Sequence, residues 1–115
     1  MNIVIFNDEL RSGMQMYLTL SNKHKVEVAT DEDDLLDILK RRKIDMTFVD
    51  LQMTGKDGKL VAKISKLYPF LRVIGIYDHD QKELMQKAFA LGIRDFIVRP
   101  IKHRDLLKLV ESSTN

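Results

Sequence analysis

Asp8 and Asp50 each follow a β-rich apolar run, Ile3-Val4-Ile5-Phe6 and Met46-Thr47-Phe48-Val49, and are the residues best placed for chemistry. Asn7 and Glu9 flank the first aspartate. Tyr77, Asp78 and Arg99 close two further runs, Val73-Ile74-Gly75-Ile76 and Phe96-Ile97-Val98. If one crevice gathers Asp8 and Asp50, an anionic ligand is disfavoured until the carboxylates are neutralised. A hard divalent cation such as Mg²⁺ is the natural occupant, held by one or two carboxylates with backbone oxygen and water. Such a cation would draw in a phosphoryl group and neutralise charge as it transfers. An exposed aspartate beside it is a feasible covalent acceptor. Taken singly, either aspartate is more readily a turn former or a helix cap. Only their convergence argues for a site.

Convergence depends on the elements that carry these residues. The first run reads as a strand buried on both faces, and Leu10, Met14, Tyr17 and Leu18 then recur at helical spacing. Val26, Val28 and Ala29 suggest a second, half-polar strand. Thr30 can cap the helix that follows, with Asp31, Glu32 and Asp33 in its first turn and Leu35, Ile38 and Leu39 as its buried stripe. The third strand ends at Asp50. Lys56-Asp57-Gly58 is a turn signal, and Leu60, Val61, Ile64, Leu67 and Tyr68 mark a helix that Pro69 stops. Val73 to Tyr77 is a fourth strand; Leu84, Met85, Ala88 and Leu91 belong to a fourth helix closed by Gly92. Phe96-Ile97-Val98 and then Leu106, Leu107 and Val110 give the last strand and helix.

Strands alternating with helices imply an α/β domain with a parallel sheet covered on both faces. Right-handed crossovers favour the flavodoxin-like doubly wound order 2-1-3-4-5 at this length. One domain over 1–112 is expected, with 113–115 as a polar tail or the start of a linker. In such a sheet, ligands bind beyond the carboxyl ends of the strands where the order reverses, between strands one and three. Asn7, Asp8 and Asp50 lie there, with Tyr77, Asp78 and Arg99 on the same rim.

Composition narrows the class. The 115 residues include no cysteine, which excludes disulfides and thiolate metal sites. No apolar stretch is long enough to span a bilayer and the N-terminus lacks the pattern of a signal peptide, so a cytoplasmic setting is expected. The net charge of +2 gives no nucleic-acid signature. The one dense basic run, Lys40-Arg41-Arg42-Lys43, reads as the dipole-complementing end of a helix. A flavin or nucleotide protein of this fold would need a Gly- or Ser/Thr-rich phosphate loop after the first strand; Asn7-Asp8-Glu9-Leu10-Arg11 is acidic instead. There is no Gly-x-Ser-x-Gly elbow, and His24, His79 and His103 are scattered in polar surroundings, so a hydrolase is not indicated.

Phe6-Asn7-Asp8-Glu9, Val49-Asp50-Leu51-Gln52-Met53, Gly55-x-Asp57-Gly58, Ala88 to Val98 and Arg99-Pro100 occur in the order and spacing of response-regulator receiver-domain landmarks. The chain resembles that family over nearly its whole length. The resemblance implies a two-component signalling switch, not a metabolic enzyme, with Asp50 accepting a phosphoryl group from a sensor histidine kinase or phosphotransfer protein. It implies Mg²⁺ bound by Asp8, Asp50 and the Gln52 backbone carbonyl, and a cis bond before Pro100. It also implies an effector or a second copy docked through the helix 4–strand 5–helix 5 face, here carrying Lys82, Lys87, Arg94, Asp95, Lys102, Arg104 and Asp105.

Four positions depart from the family pattern, and all line the proposed site. Asn7 replaces one of an acidic pair and could reach a cation through water. Arg99 replaces the lysine that contacts the phosphoryl oxygens, a planar fork in place of a compact ammonium. Tyr77 stands where a Ser or Thr hydroxyl moves in on the phosphoryl group, and its own hydroxyl is too far from the backbone for that movement. Asp78 adds a carboxylate where a small residue is usual. Two mechanisms follow: phosphorylation of Asp50 with altered switching, or a degenerate receiver acting as a phosphate-independent interaction or dimerisation module.

Overall fold

The computed structural model describes residues 1–55 and 58–112. Lys56 and Asp57 of the expected turn, and the tail 113–115, lie outside the described residues. The elements run β1 (Asn2–Phe6), α1 (Leu10–Leu20), β2 (Lys25–Ala29), α2 (Glu32–Arg41), β3 (Met46–Asp50), α3 (Lys59–Leu67), β4 (Arg72–Asp78), α4 (Lys82–Ala90), β5 (Asp95–Arg99) and α5 (His103–Glu111). A 3-10 turn, Leu51–Thr54, joins β3 to α3. All strand pairs are parallel, in the order β2-β1-β3-β4-β5 expected from the sequence.

Alternation along the strands splits the core into layers. Ile3 and Ile5 of β1, with Met46 and Phe48 of β3 and Ile74 and Ile76 of β4, pack on Met16 and Leu20 of α1 and Leu106 and Val110 of α5. Val4 and Phe6, with Val49, face the other way onto Leu35, Ile38, Leu39, Leu60 and Ile64 of α2 and α3. A third cluster, Leu51, Val61, Ala88 and Ile93, lies under α4. Gly75 permits its tight end: a Cβ there would meet Phe96 at 3.0 Å and Leu51 at 3.2 Å. The register then places the chemistry. Phe6 pairs with Val49, so Asn7 and Asp50 follow side by side on adjacent strand ends. Asp78 pairs with Arg99 across β4 and β5.

The structure departs from the sequence pattern in three places. In α1, Met14, Tyr17 and Leu18 are exposed, and Met16 and Leu20 face the core. Both faces of this helix are apolar, so periodicity had two solutions, and docking between the sheet and α5 selects the Met16–Leu20 pair. The cap of α2 is Asp31, whose Oδ1 accepts from the Asp34 backbone N at 2.8 Å; the Thr30 backbone N in turn donates to Asp34 Oδ2. Val28 on edge strand β2 is exposed. The basic run behaves as a helix end: Lys40 and Arg41 form the last turn of α2, with Arg41 on Asp37 at 2.8 Å.

Candidate functional site

Glu9 begins the site by fixing α1. Its carboxylate caps the helix, accepting from the backbone N of Arg11 at 3.1 Å and of Ser12 at 2.8 Å. Hydrogen bonds from Ser12 hold its pKa below the ordinary carboxyl value. The preceding loop is closed by the buried Asn7, whose Oδ1 accepts from the Glu9 N at 3.0 Å and whose Nδ2 donates to Ser12 Oγ at 2.9 Å. Asn7 thus sets the path from β1 into α1 and presents an amide oxygen to the crevice.

Asp50 is fully buried at the end of β3, not exposed as expected of an acceptor, because Arg99 lies against its carboxylate. Its Oδ1 accepts from the Gln52 backbone N at 3.0 Å, an arrangement that starts the 3-10 turn. Its Oδ2 accepts from Arg99 Nη2 at 2.5 Å. Arg99 reaches across from the end of β5 and serves four side chains. Nη2 also donates to Asn7 Oδ1 at 2.9 Å, Nη1 to Asp78 Oδ1 at 3.2 Å, and Nε to Ser12 Oγ at 3.3 Å. Burial works to lower the Arg99 pKa, but the hydrogen bond and charge of Asp50, then those of Asp78, raise it on balance. The guanidinium is a fixed cation in the mouth of an acidic crevice. An open cleft of about 390 Å³ borders it, lined in part by Glu9, Ser12, Gln15, Asp78 and Asp80.

The site residues expected from sequence therefore separate. Asn7, Asp50, Asp78 and Arg99 meet in one hydrogen-bonded set. Asp8 is exposed beside it and takes no part in that set. Tyr77 turns to the apolar side, its ring edge-on to Phe96 with centroids 6.2 Å apart, packed against the cluster under α4. The Arg99–Pro100 peptide is cis. Ser12 and Gln81 were not legible as site residues. Ser12 is a small hydroxyl inside a helical pattern, and Gln81 carries no motif; its Oε1 accepts from the Asp78 N at 3.0 Å.

Among the described residues no group of three or more His, Cys, Asp or Glu side chains forms a metal cluster. The oxygens that meet on Arg99, the Asp50 carboxylate and the Asn7 amide, are hard ligands of the kind a Mg²⁺ ion takes with water, and the exposed Asp8 is adjacent in sequence. Their chemistry fits the ion, which would compete with Arg99 and the Gln52 N for the Asp50 carboxylate.

A five-stranded parallel sheet in this order, with an aspartate and a basic residue meeting at its switch point, defines a receiver-type signalling module. The chain belongs to the response regulator receiver domain family, whose model matches residues 3–111. It is 28% identical to Protein MrkE of Klebsiella pneumoniae over 99% of this chain and 43% of that one. It is 26% identical to the transcriptional regulatory protein YpdB of Escherichia coli K12 over 96% of this chain and 46% of that one. The chain thus spans less than half the length of these relatives. Among solved structures, the receiver domain of NtrX from Brucella abortus superposes with a TM-score of 0.87 at 30% identity, covering 96% of each chain. Receiver domains are signalling modules that interact with histidine kinases and effector domains and generally bind Mg²⁺ at their phosphorylation site. Among the described residues no helix is long and apolar enough to cross a membrane.

Proposed function

We propose that this receiver accepts a phosphoryl group on Asp50 from the phosphohistidine of a sensor kinase or phosphotransfer protein. The observation that supports it is the orientation of the Asp50 carboxylate, with one oxygen held by the Gln52 backbone N and the other facing Arg99. The step forms a bond between a carboxylate oxygen and phosphorus, breaks the phosphorus–nitrogen bond of the donor, and leaves imidazole, which takes up a proton. Hydrolysis of the resulting acyl phosphate returns the carboxylate and inorganic phosphate, the full extent of the chemistry in this reading. Asp8, Asp50 and the Gln52 backbone carbonyl would hold Mg²⁺, with Asn7 reaching it through water. When bound, the ion supplies charge neutralisation for the incoming phosphoryl group. Arg99 Nη2 already donates to Asp50 Oδ2 and to Asn7 Oδ1 beside it, so the transferred charge meets a preorganised cation.

The output surface in this reading is α4, β5 and α5, in a cytoplasmic setting. Charge alone described that face incompletely. Phe89, Leu91 and Val98 are exposed on it, and Arg94 lies over the Phe89 ring at 4.7 Å. Asp95 is engaged at its edge by Arg72. A mixed apolar and charged surface of this kind suits an effector domain or a second copy.

Incubation with Mg²⁺ and acetyl phosphate, followed by intact mass, tests the acceptor. An added phosphoryl mass that disappears in Asp50→Asn is the expected result. An adduct that persists in the mutant, or none from either acetyl phosphate or a cognate kinase, rejects it.

A further inference from the structure

In this site a hydroxyl at position 77 cannot report the state of Asp50, because Tyr77 packs against Phe96 and the apolar cluster instead. A different continuous path leaves the acceptor. Asp50 Oδ2 takes Arg99 Nη2, and Nη1 of the same guanidinium donates to Asp78 Oδ1. The Asp78 backbone N donates to Gln81 Oε1, and the Gln81 N donates back to the Asp78 carbonyl at 2.8 Å. Gln81 is the N-cap residue of α4, and its carbonyl receives the Leu84 N at 3.1 Å. The Gln81 side chain does not cap its own helix. It is spent closing the turn onto Asp78.

We propose that Arg99 and Asp78 carry the state of Asp50 to α4, the guanidinium being shared between the acceptor and the turn that launches the helix. The inference rests on Asp50 as the phosphoryl acceptor. A phosphoryl group on Asp50 replaces a single carboxylate charge with nearly two and adds three acceptor oxygens, against the single, partly exposed carboxylate of Asp78. The planar fork of Arg99 pairs best with such a group in a bidentate manner. It is drawn onto the phosphoryl oxygens and off Asp78. The Asp78–Gln81 turn then loses the contact that fixes its first residue, and the N-terminal turn of α4 relaxes. Asp78 is a positioning residue: it acts through Arg99 and not on the reacting atoms.

The test is amide NMR of the 115-residue chain, with and without Mg²⁺ and beryllium fluoride as the phosphoryl mimic. The Gln52 amide, bonded to Asp50, reports loading; the amides from Leu84 to Ala88 report α4. In the wild type both sets should move. In Asp78→Ala, compared at probe concentrations that bring Gln52 to a plateau, the α4 response should be lost. Before any probe is added, its α4 amides should already lie displaced towards their loaded positions. Arg99→Lys provides a second arm, because one ammonium cannot hold Asp50 and Asp78 as the two guanidinium nitrogens do. Its unloaded α4 amides should be displaced in the same direction. An α4 response in Asp78→Ala equal to that of the wild type overturns the proposal, as do unloaded α4 amides unchanged in both variants. If Gln52 fails to move in the wild type, the site does not load the mimic and the acceptor is judged by the acetyl phosphate and kinase test, while the unloaded spectra of the two variants still decide the coupling.

Discussion

An arginine bridges neighbouring elements at each end of the sheet, and the two do opposite things. Arg72, at the start of β4, meets Asp95 at the start of β5 at 2.9 Å and donates to the Leu109 carbonyl of α5 at 2.7 Å. Its side chain and that of Asp95 remain 23% and 35% exposed. Arg99, at the far end of β5, is 11% exposed and faces an Asp50 side chain that is 1% exposed. Arg72 has one acid and one carbonyl, all within reach of water. Arg99 is divided among oxygens from three strand ends and a helix. A partly solvated pair fastens elements and can be lost cheaply. A buried acid with one shared cation cannot lose it without consequence, and for that reason can respond to a new claimant.

The largest effect should come from breaking the buried partnership. Arg99→Gln leaves the Asp50 carboxylate enclosed without its cation, which costs about 3–5 kcal/mol where such pairs have been split. Urea denaturation at neutral pH reads it directly. Arg99→Gln combined with Asp50→Asn should recover most of that loss, since a neutral pair carries no stranded charge. A loss below about 1 kcal/mol in the single variant would mean that Asp50 is no more dependent on its partner than Asp95 is.

The contrast between the two ends also explains what could be read in advance. The sheet was legible because its strands are short continuous apolar runs separated by helical spacing and turn residues, and the order followed from crossover handedness. Asp50 and Asn7 were legible as neighbours because strand ends converge in that order. The failure of Tyr77 to serve the site followed from its size. Arg99's reach was not legible: spacing fixes where a Cα lies, whereas a long side chain goes where burial and competing acceptors send it. Ser12 and Gln81 are found only through what they bond. Which face of α1 is buried was not legible either, because Met14, Tyr17 and Leu18 form as good a stripe as Met16 and Leu20 do.

At the opposite end, Arg72→Gln should cost only about 0.5–1 kcal/mol, with Asp95→Asn similar. Added salt should shrink the difference from the wild type, since the pair is partly solvated. The same salt series on Arg99→Gln should change its deficit far less. Equal salt sensitivity of the two arginine variants would remove the distinction drawn between the ends.

The smallest effect separates location from burial. Glu9 belongs to the site end but is exposed, more open to water than the half-buried Arg72 pair, so its loss should cost no more than the loss of that pair. Its pKa is held down by hydrogen bonds from Ser12, from an ordinary value of 4.5. A depressed carboxyl stabilises the fold above its unfolded pKa, and that contribution is lost as pH falls through the lower, folded value. Glu9→Gln should therefore be less stable than the wild type at neutral pH by about 0.5 kcal/mol, the low end for a cap. The two stability curves should merge in acid. An offset that persists unchanged at low pH would show that Glu9 acts through packing and not through its charge on the α1 terminus. A deficit as large as that of Arg99→Gln would show that position at the carboxyl end of the sheet, rather than burial, makes a residue indispensable there.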